Sequence, residues 1–253
     1  MKIPVVRGLI DRRVLVNFRV DPGILRKVLP EPFRPKLAHG KGVAGVCLIR
    51  LAQIRPRVVP AFFGITSENA AHRIAVEWRS EDGRKEGVYI PRRDTSSRLT
   101  VFLGGRVFPG EHHLADFEVR ETGDVVAVTV RSRDGKTRLV VEGTITDWLP
   151  RTSVFSSLEE ASAFFESGSL GYSATSRPGE YDGLELRTFA WEVQPLDVSR
   201  IESSFFDNPE LFPHGSAEFD CALLMRKVAH EWHGRDRLVV AADAHSRHAE
   251  GRP

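Results

Sequence analysis

The segment Tyr89-Ile90-Pro91-Arg92-Arg93-Asp94 sets two guanidinium groups beside a carboxylate at the end of an extended run. Guanidinium stays charged when partly buried, and its planar fork donates two parallel hydrogen bonds, so such a pair can clamp a carboxylate or phosphate. A solvated turn with an Arg–Asp pair would use the same residues. Glu68 lies between Ser67 and Asn69 in another extended segment, on one face of a strand. There a carboxylate could serve as acid, base or arginine partner, or simply face water. Histidines cluster as His112-His113 and His230-Glu231-Trp232-His233, with His39, His72 and His214 scattered between. A zinc site needs three or four converging ligands, whereas neighbours on a strand point to opposite faces, so no metal site is expected. Cys47 sits among Val46, Leu48 and Ile49 and reads as a buried structural thiol. The chain has no GxSxG elbow, Walker loop, GxGxxG turn or HExxH pair, which leaves hydrolase, kinase and dehydrogenase readings without support.

Composition narrows the partners. The 36 basic and 34 acidic residues are interleaved and leave a formal net charge of only +2, so no nucleic-acid footprint is expected. Arginine outnumbers lysine 29 to 7, a bias that GC-rich coding produces; it leaves few candidates for lysine chemistry. The two cysteines, Cys47 and Cys221, form neither a disulfide framework nor a CxxC pair, which points to a reducing cytoplasm. No run of 18 apolar residues occurs, so neither a membrane span nor an export signal is expected.

These residues need elements to position them. Val14 to Val20 is β-branched and apolar and suits a strand. Asp21-Pro22 then caps and starts a short helix that ends at Pro30. Gly42 to Leu51 is a second strand, and Gln53 to Pro60 a proline-broken connection. Asp82-Gly83, Gly123-Asp124 and Asp134-Gly135 each separate extended runs, the grammar of hairpins, and predict an antiparallel meander from Ser67 to Ile145. Ser157 with Glu160 forms a capping box before a second helix that Gly168 closes. Leu184 to Val193 and Ala217 to Val228 are late strands, and residues 241–253 a flexible tail. No linker divides the chain, so residues 1–240 are expected to form one β-rich α+β domain with its sheet closed or doubled.

The segments NFRVDPGILRKVLPEPFRP, Glu68-Asn69, GVYIPRRD and FDCALLMRKVAHEWH together resemble the uncharacterised bacterial YqjF-like family, a domain of unknown function related to acetoacetate decarboxylase. The resemblance spans roughly Arg12 to His233 and implies an antiparallel sheet curled into a barrel-like cone around a small-molecule pocket. In the decarboxylases a Pro-Lys-Lys sequence supplies the Schiff-base lysine. Aligned on Pro91, Arg92 and Arg93 stand where those lysines would be. Guanidinium cannot become the neutral amine an imine requires, so decarboxylase chemistry is expected to be absent. Lys85 lies near a hairpin tip and Lys227 in a late strand beside Arg226, and of these Lys227 stays open as a substitute. The resemblance also places Glu68 on the pocket strand and makes Arg19 a second cation.

The expectation is therefore a cavity for a small acidic or carbonyl-bearing metabolite, with no cofactor. Arg92 and Arg93 hold the anion, Arg19 and Tyr89 assist, and Glu68 orients them or accepts a proton. Phe62, Phe63, Tyr89 and Phe102 form the apolar walls. Two alternatives are a lyase, hydratase or isomerase using Glu68 without an imine, and an interaction protein with a vestigial cavity. Self-association is left open.

Overall fold

The computed structural model describes residues 5–103 and 109–240; the expected tail, 241–253, lies outside the described residues. In chain order the elements are β1 (Val6–Val20), α1 (Pro22–Val28), β2 (Arg34–Pro35), β3 (Leu37–Ala38), β4 (Lys41–Pro56), β5 (Ile65–Ser80), β6 (Gly83–Thr95) and α2 (Arg98–Leu103). There follow β7 (His112–Thr122), β8 (Val125–Ser132), β9 (Arg138–Ile145), α3 (Leu158–Ser167), β10 (Leu170–Ala174), β11 (Glu180–Thr188), β12 (Gln194–Ser203) and β13 (Ala217–Val239). No helix among the described residues is long and apolar enough to cross a membrane.

Local signals start and stop these elements as the residue types dictate. The Asp21 carboxylate accepts hydrogen bonds from the backbone of Gly23 and Ile24, capping α1. Ser157 caps α3 by accepting from Glu160 N at 3.2 Å, while the Glu160 carboxylate takes Ser156 N at 2.7 Å. Glycines at the hairpin tips carry positive φ where side-chain-bearing residues would be strained, Gly83 at 107° and Gly135 at 72°.

The sheet order runs β11-β10-β6-β7-β8-β9-β12-β13-β1-β4-β5-β2, and further pairings join β11 to β13 and β6 to β5. The sheet thereby returns on itself as a ring of strands. It also divides at two places. Along one edge β6 pairs with β5 throughout its length, with one register shift between His72 and Ile74, but along the other it gives Val88–Ile90 to β10 and then Arg93–Thr95 to β7. Pro91, with no N–H to donate, stands at that division. Likewise β13 pairs with β1 on one edge and successively with β12 and β11 on the other.

Several features depart from the sequence expectation: the late strand expected over Leu184–Val193 runs instead over Glu180–Thr188 as β11, and helix α2 was not anticipated. The β6 pairings to β7 and β10 are parallel rather than antiparallel. Strand β4 continues to Pro56, through a bulge at Gln53 (φ 55°), where a broken connection was expected. Strand β12 was not anticipated at all; its polar residues alternate and only Pro195 and Leu196 at its start are buried apolar positions.

Because β1, β4 and β5 are covered on both faces, their alternate residues feed two cores. Val14, Val16, Ala44, Val46, Leu48 and Ile74 pack in the first, which the β7–β9 strands enclose. Leu15, Val43, Cys47, Ile49 and Ala75 face the second, which α3 covers with Ala161 and Phe165.

Candidate functional site

On the second face one row of paired residues runs across four strands: Leu15 on β1, Cys47 on β4, Ala71 on β5 and Arg93 on β6. The small side chains of Cys47 and Ala71 in mid-row leave space that larger residues would fill. A cavity of about 120 Å³ opens there, bounded also by Arg13, Arg73, Phe165, Trp191 and Trp232. Exposed Glu166 stands on its border. A second lobe of about 80 Å³ adjoins it, lined by Ile54, Ile65, Ser67, Asn69, Thr100 and His112. Ile49, Ala71, Arg93 and Trp232 border both lobes, so Arg93 sits at their junction.

Three guanidiniums converge on the larger lobe. Arg93 Nε donates to Ser173 Oγ at 3.0 Å. Arg73 donates to Asn17 Oδ1 and lies over the Phe165 ring, 4.9 Å from its centroid, while its Nε is buried without a partner. Arg13 Nε donates to Cys47 Sγ at 3.3 Å, its guanidinium lies 5.6 Å from the Trp191 centroid, and its Nη1 is buried without a partner. Among the described residues no carboxylate pairs with any of the three. Burial pushes Arg73 and Arg93 down to about 10, low for arginine yet still charged at neutral pH. In the second lobe, burial and the neighbouring Arg93 push His112 down to about 3, so its imidazole is neutral there.

The structure brings one of the sequence-derived candidates to this cavity and not the others. Arg93 faces it. Arg92, one residue earlier on the same strand, turns the opposite way and pairs with Asp94 at 2.8 Å and Asp134 at 2.9 Å. Glu68 turns away for the same reason, since its neighbours Ser67 and Asn69 line the second lobe. Its carboxylate takes Arg12 and Arg50, each at 2.6 Å, in a network that continues through Glu121 to Arg226. Arg19 lies at the far end of β1, donating to the carbonyls of Thr152 and Phe219, both at 3.1 Å. Tyr89 packs in the first core, 5.3 Å from the Phe33 ring, where burial pushes its hydroxyl up to about 12. Phe62, Phe63 and Phe102 are 80%, 66% and 69% exposed and wall neither lobe. Lys85 lies 3.6 Å from Asp82, and Lys227 pairs with Asp11 on a bulge with φ 55°. Among the described residues no lysine lines either lobe.

Arg13 and Arg73 escaped sequence reasoning, although one signal was available. Arg73, next to His72, interrupts the otherwise apolar stretch Ala70–Val76, and a charge there is either outward-facing or functional.

The sequence model of one family, DUF2071, described as an uncharacterized conserved protein (COG2071), matches residues 10–227. The chain belongs to that family. Among curated proteins nothing matches. This DUF2071 chain is similar in structure to acetoacetate decarboxylase from Legionella pneumophila, at 14% identity and a TM-score of 0.63 over 93% of this chain and 87% of that one. It is similar also to an acetoacetate decarboxylase-like enzyme from Sphingomonas wittichii, at 14% identity and TM-score 0.57, covering 95% and 94% of the two chains. An enduracididine biosynthesis enzyme solved with pyruvate matches at 11% identity and TM-score 0.55 over 92% and 89%. At such identities these likenesses establish an acetoacetate decarboxylase-like fold for the DUF2071 chain, and that alone.

Proposed function

We propose that this chain binds a small acid carrying a carbonyl group in the two-lobed cavity, with Arg93, Arg13 and Arg73 holding the acid. The observation that carries the reading is three guanidiniums bordering one lobe, none of them paired with a carboxylate among the described residues, while Asp94 on the second lobe is taken by Arg92 and Glu166 stands exposed at the rim. Buried charge is costly unless paired, and a ligand anion is the missing partner. The apolar surface between them, from Ile90, Leu184, Leu186 and Trp232, suits a short carbon skeleton. We assign Glu68 to holding Arg12 and Arg50 in place rather than to proton transfer, because both its oxygens are already engaged.

We infer further that no imine forms on the ligand. An imine needs an amine that is neutral near pH 7, which guanidinium cannot supply.

A thermal-shift panel of 2-oxo acids, hydroxy acids and aromatic acids tests the binding, since a native-state ligand stabilises by RT ln(1 + [L]/Kd). The panel should contain acids that raise Tm in the wild-type chain and not in Arg93→Ala. Equal shifts in the variant would overturn the assignment. Borohydride treatment with each stabilising acid should leave no covalent adduct by mass spectrometry; an adduct on any lysine would overturn the imine inference.

A further inference from the structure

Among the described residues that line the larger lobe with the three arginines, Cys47 is the one thiol. Its sulfur accepts a hydrogen bond from Arg13 Nε at 3.3 Å. Arg73 flanks it diagonally through the Gly45 pair, and Arg93 lies one strand further along its row, past the small Ala71. Arg73 lines the same cavity while only 6% exposed, and its Nε has no hydrogen-bond partner among the described residues.

The second cysteine shows the contrast within the same molecule. Cys221 is fully buried in the core and lines neither lobe. Burial and the neighbouring Asp220 push its thiol up, away from the reactive form. Thiolate, not thiol, is the nucleophile, and adjacent cations favour it.

We propose that Cys47 is a nucleophilic thiol of the cavity, placed to add to the carbonyl carbon of a 2-oxo acid whose carboxylate the surrounding arginines hold. The proposal rests on the reading of the cavity as an anion site. In the step, the sulfur–carbon bond forms as the carbonyl π bond breaks, and the π electron pair moves to oxygen. The proton given up by sulfur ends on that oxygen. The product is a hemithioketal, and no oxidant or reductant takes part.

The test uses the full chain in its native state. Iodoacetate and iodoacetamide both alkylate a thiolate, the sulfur displacing iodide, but an ordinary thiolate repels the anionic reagent and reacts faster with the neutral one. Three guanidiniums should invert that order at Cys47, with iodoacetate faster by about tenfold, as charged clefts concentrate ions of opposite sign. Peptide mass spectrometry should find Cys47 labelled and Cys221 untouched. In Arg93→Gln and separately in Arg13→Gln, each checked for an unchanged melting profile, the preference should return to iodoacetamide. Pyruvate labelled with carbon-13 at C2 should show a tetrahedral-carbon resonance with wild-type protein and none with Cys47→Ser.

Faster labelling by iodoacetamide in the wild type, or a native Cys47 that neither reagent reaches, would overturn the proposal. If acids still raise Tm equally in wild type and Cys47→Ser in that event, the anion site stands and only the thiol's role falls. If no acid raises Tm either, both readings fall.

Discussion

A guanidinium held inside a protein without a carboxylate is a standing cost to the empty fold. Arg73 and Arg93 are both shifted down by burial, which records that cost, and Asn17 and Ser173 answer only part of it. Replacing Arg93 with the similarly long, uncharged Met should therefore stabilise the ligand-free chain by about 1–3 kcal/mol, since buried ionic groups are often less stabilising than apolar ones of like volume. The same change should abolish the acid-dependent rise in Tm. Urea unfolding of Arg93→Met with and without acid checks both, and a destabilised variant that keeps its acid response would contradict the assignment. How the residues divide between cavity and elsewhere was only half legible. The adjacent arginines 92 and 93 drew notice by type, yet the two-residue period of a strand means that only one can face a given space. Which one does depends on register across β5 and β6, set by distant pairings that type and spacing do not encode. Arg13 and Arg19 share a strand and a parity, and it is position along β1, not face, that separates them.

At the scale of elements, α3 matters because it covers the second core and rests Phe165 on Arg73. Ser157→Ala removes its N-cap and should cost about 1 kcal/mol. For a chain of this size that lowers Tm by about 2–4 °C. Loosening the helix also loosens Arg73, so the acid-dependent shift should shrink in the same variant, whereas a cap mutation at Asp21 on α1, away from the cavity, should lower Tm alone. Calorimetry of the two variants with and without acid separates the outcomes. Hairpins and caps were legible because glycine, aspartate and serine act through their nearest neighbours: Asp82-Gly83, Asp134-Gly135 and the Ser157 box all lie where expected. The parallel seam of β6 with β10 and the ring closure of β11 onto β13 were not, since they pair residues as far apart in sequence as Val88 and Gly171, or Glu180 and Val239, on no local signal.

The whole molecule carries a charge balance that depends on acid. His72 and His230 are each 1% exposed, and among the described residues neither ring nitrogen of His72 has a hydrogen-bond partner. Burial, helped by Arg92 in one case and Arg13 in the other, pushes them down to about 3 and about 4 from an ordinary 6.5. The unfolded chain therefore binds protons below pH 6.5 that the folded chain does not. Stability present above that pH is lost as pH falls towards 4, with a slope approaching about 1.4 kcal/mol per pH unit for each imidazole. Urea unfolding at pH 7.5, 6.0 and 5.0 should trace that decline. His72→Leu should reduce the slope by one imidazole's share, since His230 and His112 keep theirs, and an unchanged slope in the variant would refute the account.

Strand β10 is held to β6 by three parallel pairs, Val88–Ile90 against Gly171–Ser173, whereas β11 runs beside β13 over eight pairs between Glu180 and Thr188. The larger lobe lies just behind the shorter seam, with Val88, Ile90 and Gly171 in its wall. Gly171 belongs to both the seam and the wall, and a Cβ there would come within 3.1 Å of Ile90, so a side chain at this one position would press on the cavity and on the join between β10 and β6 together.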